Sequence, residues 1–64
     1  MYIVTIGVAK GKKYLTMWGD GSAWDWTRSF KDATRFVTYQ EARDAMRLAV
    51  SVDKVSDATI YGYM

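Results

Sequence analysis

Two hydrophobic periods alternate along this chain, one of strands and one of a helix. Tyr2 to Val8 (YIVTIGV) is rich in β-branched residues and predicts a strand. Val4, Ile6 and Val8 share one face of it, and Ile3 and Thr5 share the other. Lys10-Gly11 predicts a tight turn, and Lys13 to Trp18 a return strand. A two-residue loop there sets Ala9 opposite Lys12, Ile6 opposite Leu15 and Val4 opposite Met17. Asp20-Gly21 is the strongest hairpin signal. Counting out from it puts Trp24 opposite Met17 and Trp26 opposite Leu15, on a third strand over about Ala23 to Arg28.

The period then changes over Ala33 to Val50 (ATRFVTYQEARDAMRLAV). Thr38-Tyr39-Gln40-Glu41 has capping-box spacing, with the Thr38 hydroxyl placed to accept the Glu41 N–H and Glu41 to reach back to the Thr38 N–H. Glu41 also complements the helix dipole. Ala42, Ala45, Met46, Ala49 and Val50 form one stripe, Gln40, Arg43, Asp44 and Arg47 lie opposite, and Leu48 points away from the stripe. Phe36, just before the cap, sets the angle at which the chain enters the helix. Ser51 to Asp57 reads as a polar connection with Val52 and Val55. Ala58 to Tyr63 reads as the last strand, with Ile60 toward the helix and Thr59, Tyr61 and Tyr63 away from it. The order β-β-β-α-β predicts a small two-layer α+β domain over residues 1–64. A three- to four-stranded, mainly antiparallel sheet carries one helix on one face, with the last strand beside the first.

Composition sharpens this picture. At 64 residues the chain suits one domain. Such a chain buries only about 60% of its unfolded surface and usually needs a staple. It has no cysteine and no histidine, which removes disulfides and any plausible zinc site. Large rings are the available substitute, in three tryptophans, five tyrosines and two phenylalanines, and dimerisation is the other route. The apolar run Tyr2 to Ala9 is too short for a signal-peptide core or a membrane span, so no membrane contact and a cytoplasmic location are expected. A formal charge of +2 permits nucleic-acid contact without arguing for it.

The residues argue against an enzyme. General acid–base work at neutral pH most often uses histidine. Ser22, Ser29, Ser51 and Ser56 have no visible base partner, and Glu41, the sole glutamate, has a capping role. Asp20 and Asp25 resemble a carboxylate pair, but turn chemistry explains Asp20 more simply. Gly19 to Ser22 (GDGS) lacks the ligands of a calcium loop and the helix of a phosphate loop. No cofactor is expected.

The expected binding residues are on the sheet face away from the helix. There Ile3, Thr5, Tyr14, Thr16, Trp18, Tyr61 and Tyr63 form one surface, either open or covered by another molecule. Tyr14, Thr16, Trp18, Tyr61 and Tyr63 are the partner-binding candidates. Arg43, Arg47 and the outward Leu48 make a second patch, for which a plain solvated face is the simpler reading. Trp24 and Trp26 read as core rather than base-stacking platforms. Lys12, Lys13, Arg28, Lys31 and Arg35 keep nucleic acid as the alternative partner, ranked below protein, and self-association is the third alternative.

Gly11-Lys12-Lys13-Tyr14-Leu15, Asp20-Gly21, Trp24 or Trp26, and Ala33 to Ala42 follow one another here in a suggestive order. The set resembles very small proteins encoded by bacteriophages and prophages that carry an ATRF-x-T-x-x-E-A strand-to-helix pattern. That resemblance implies an accessory protein in the cytoplasm of a bacterial host. Its expected partner is a host or defence protein, such as a CRISPR effector or a restriction system, held by protein–protein contact. No binding residue carries over from it.

Overall fold

A computed structural model of the protein describes residues 1–7, 11–18 and 23–63. Strands β1 (Tyr2–Ile6), β2 (Lys13–Trp18) and β3 (Ala23–Thr27) are followed by helix α1 (Tyr39–Asp53) and strand β4 (Thr59–Gly62). The sheet order is β3-β2-β1-β4 and every neighbouring pair is antiparallel. This is the expected small α+β domain, a four-stranded antiparallel sheet with one helix packed against it. The last strand lies beside the first, on the sheet edge.

The β2–β3 register is the one the hairpin count gives, with Leu15 opposite Trp26 and Met17 opposite Trp24. The β1–β2 register is not. Thr5 pairs with Tyr14 and Ile6 with Lys13, two residues from the expected pairing of Ile6 with Leu15. A shift of two keeps each side chain on its own face, so Val4 and Leu15 still meet beneath the helix. β1 ends at Ile6, and the next residue, Gly7, takes a left-handed φ of +68° that suits leaving the strand there. The Gly7 N–H turns to the Asp57 carboxylate, 2.9 Å away. The expected pairing of Ala9 with Lys12, the Lys10 position of the first turn and the Asp20-Gly21 turn fall outside the described residues.

Thr38 caps α1 as expected, its Oγ1 accepting the Glu41 N–H at 3.1 Å. The reciprocal bond differs: the Thr38 hydroxyl donates to the Glu41 carboxylate, also at 3.1 Å. Ala42, Ala45 and Ala49 are buried, Met46 and Val50 half-buried, and Leu48 exposed. The core is Val4, Leu15 and these three alanines, rimmed by Tyr2, Met17, Trp24, Trp26, Phe36, Met46 and Ile60. Small side chains let the helix lie close on the sheet, where full burial of Leu15 contributes about 1.5–3 kcal/mol. The helix runs past Val50 to Asp53, one turn into what reads as a polar connection. It stops at Lys54, which is left-handed at φ 56° and donates its N–H to the Val50 carbonyl.

The connection from β3 to α1 is built into the sheet. A single 3-10 turn at Phe30–Asp32 precedes it. The Thr34 N–H then donates to the Leu15 carbonyl at 3.0 Å, while Tyr2 and Phe36 exchange both backbone bonds at 2.8 Å. The Thr34 hydroxyl accepts from the Met17 N–H at 2.6 Å and donates to the Met17 carbonyl at 3.1 Å. β1 and β2 therefore part toward this end, and Ala33 to Phe36 fills the gap and satisfies backbone groups the strands no longer give each other. Each residue of the ATRF-x-T-x-x-E-A pattern except Arg35 has a packing or capping role here. Ala33 and Ala42 are buried, Thr34 and Phe36 bond the strands, and Thr38 and Glu41 cap the helix.

Candidate functional site

Alternation along the strands sends Tyr14, Thr16 and Trp18 of β2, Ile3 and Thr5 of β1, and Thr59 and Tyr61 of β4 away from the helix. Tyr63 follows Tyr61 at the same parity. The expected surface residues thus share one side of the sheet, but they do not form one open surface. Ile3 and Thr5 are buried. The cover comes from the chain itself. Phe30, on the 3-10 turn, packs edge-on to Tyr14 with ring centroids 5.6 Å apart, and meets Tyr63 at 6.0 Å. The expectation of a face that is either open or covered by another molecule is corrected accordingly.

What this face still presents is a set of separate rings. Trp18 is 55% exposed, Phe30 45% and Tyr61 43%, whereas Tyr14, Thr16 and Tyr63 are half-buried. Two cations lie against the exposed rings. The Lys12 ammonium is 4.9 Å from the Tyr61 centroid, and the Arg35 guanidinium 5.4 Å from that of Phe30. Phe30 is a site residue that the hydrophobic pattern did not bring forward, and the sequence brings Arg35 forward only as a cation for the nucleic-acid alternative. The available signal was a large ring alone in a short polar connection, next to a sheet face in need of cover.

The hydroxyls of Thr5 and Tyr63 are buried without a hydrogen-bond partner among the described residues. An unpaired buried hydroxyl costs about 1–3 kcal/mol, so removing it without changing shape costs nothing in bonds. Thr5→Val is therefore expected to leave stability unchanged or raise it by up to about 1 kcal/mol. Chemical denaturation checks this, and a clear loss of stability would mean that the hydroxyl has a partner in solution.

The helix side carries a second polar arrangement. The indole N–H groups of Trp26 and Trp24 both donate to Oδ2 of Asp53, at 2.7 and 3.0 Å. Both tryptophans are half-buried at the rim of the core rather than enclosed in it, because their polar edges reach the helix end. The two bonds, Trp26 first, hold the Asp53 carboxyl below its ordinary value of 3.8, against a smaller opposing effect of burial. A lowered folded value means that the tie is complete above pH 3.8 and is lost as pH falls through the lower value. Tryptophan fluorescence is expected to show this acid transition below 3.8, and Asp53→Asn to abolish it. A transition at or above the ordinary value would contradict the indole bonds.

Arg43 and Arg47 are exposed on the outer side of α1, and Leu48 is exposed as well. Gln40 bonds Asp44 on that side at 2.9 Å. Among the described residues no group of three His, Cys, Asp or Glu side chains is placed to hold a metal ion, and no helix is long and apolar enough to cross a membrane. No protein-family model matches the chain, and no curated protein or solved structure matches it.

Proposed function

We propose that this chain is a non-enzymatic binding protein that engages another protein through the sheet face opposite the helix. The observation that carries this reading is the set of exposed rings Trp18, Phe30 and Tyr61 on that face, with Lys12 and Arg35 against two of them. Rigid rings give large contact area at low entropic cost and are enriched at binding hot spots. The two cations suit a partner surface with an apolar centre and carboxylates around it. The resemblance to phage accessory proteins adds the setting: the partner is a host or anti-phage defence protein in a bacterial cytoplasm, which the chain inhibits or redirects.

A cation beside an exposed ring is also what single-stranded nucleic acid uses, and this supports a second reading. Protein is favoured because Tyr14 and Tyr63 are half-buried and packed against Phe30, which leaves fewer ring faces for base stacking. Binding of a labelled single-stranded oligonucleotide across a salt series separates the two. The protein reading expects weak binding with no useful affinity at physiological salt. Tight binding whose logarithm falls steeply with salt, and which Lys12→Ala and Arg35→Ala reduce, would replace it with the nucleic-acid reading.

A further inference from the structure

On the other side of the molecule, β3 and the C-terminal end of α1 border an open, shallow cleft of about 560 Å³ lined by Ala23, Trp24, Asp25, Trp26 and Asp53. Two indoles form its apolar wall. Asp53 is held there by Oδ2 alone, and its Oδ1 accepts no hydrogen bond among the described residues. Asp25, between the two tryptophans, starts from the opposite face of β3, and its Oδ1 accepts the Trp26 N–H at 2.8 Å. The position of Asp53 is electrostatically unfavourable in isolation. A carboxylate at a helix C-terminus faces the negative end of the dipole, and no basic residue occupies the last turn. The adjoining cap, Lys54, is in the left-handed region that L-residues adopt at a cost. The cleft thus pairs one carboxylate, that of Asp53, with two indoles.

We propose that this cleft binds the guanidinium group of an arginine side chain presented by a partner protein. A guanidinium is planar and weakly hydrated, stacks on an indole face and donates in plane to a carboxylate oxygen. It would meet the unbonded Oδ1 of Asp53 while lying against Trp24 or Trp26. A quaternary ammonium could use the rings but has no N–H for that oxygen. A lysine ammonium could use the oxygen but is more strongly hydrated and does not stack. This site is on the opposite side of the sheet from Trp18 and Tyr61, so the two proposals stand or fall separately.

The test follows the indole N–H resonances of Trp24 and Trp26 by NMR during titration with N-acetyl-arginine amide. N-acetyl-lysine amide and tetramethylammonium are run at equal ionic strength. The expected result is saturable movement of both resonances, with a Kd on the order of millimolar for so small a probe. Binding of the lysine and tetramethylammonium probes should be at least several-fold weaker. Free arginine should bind no better than the blocked form, because its α-ammonium and α-carboxylate offset each other and only the guanidinium is recognised. Asp53→Asn keeps an oxygen for both indoles, so the fold is retained, and should weaken binding at least tenfold. Trp18→Ala should leave it unchanged. Absence of saturation in the parent protein, equal response to all three cations, preference for free arginine, or parent-like binding by Asp53→Asn would each overturn the proposal.

Discussion

Thr34→Val is expected to destabilise the protein by about 2 kcal/mol, although valine matches threonine in shape. The hydroxyl removed is bonded to both the N–H and the carbonyl of Met17. Valine leaves both backbone groups unpaired in a part-buried site, and an unmade bond there costs more than a made one contributes. A chain of this size has only a few kcal/mol of total stability, so the loss is a large fraction of it. Denaturant melts of the two proteins measure the difference directly. Thr34→Ser, which keeps the hydroxyl, should fall between them and closer to the parent. Equal stability of the valine variant and the parent would mean that Ala33 to Phe36 does not bind the parted strands as described.

The second large effect is on binding. Trp18→Ala together with Tyr61→Ala is expected to weaken partner affinity by about 30-fold or more, the range of a hot-spot loss near 2 kcal/mol. About half of each side chain is in solvent, so stability should change by no more than about 1 kcal/mol, less than the change in binding. That contrast separates a binding surface from a structural one. Phe30→Ala is less informative, because Phe30 also covers the sheet through Tyr14 and Tyr63 and its removal would disturb the fold.

The parts of the fold that local chemistry decides were legible in the sequence. Tryptophans at alternate positions after an Asp-Gly pair pointed to the β2–β3 register, and the alanine stripe to the buried face of α1. Thr38 and Glu41 marked the helix start. The misreadings came where distant groups decide. Gly7 looks like a strand interior until its N–H is seen to bond Asp57, fifty residues away in the chain. Ser51 to Asp53 has modest helix propensity, and the last turn is stabilised by two indoles from β3. Nothing local to Ala33 to Phe36 shows that its hydrogen-bond partners are Tyr2, Leu15 and Met17. The candidate surface followed the same division. Strand parity placed Trp18 and Tyr61 correctly on the face away from the helix. The partial closure of that face by Phe30 depends on a contact that no periodicity encodes.

The central claim is that the exposed rings opposite the helix bind a protein partner. Quantitative affinity capture from bacterial lysate tests it most directly, using the parent protein, the Trp18→Ala, Tyr61→Ala double variant and the Arg43→Ala, Arg47→Ala double variant, each first shown to be folded. The account predicts a protein retained by the parent and by the arginine variant at physiological salt, and lost from the aromatic variant. Retention by the aromatic variant with loss from the arginine variant would contradict it and move the site to the outer face of α1.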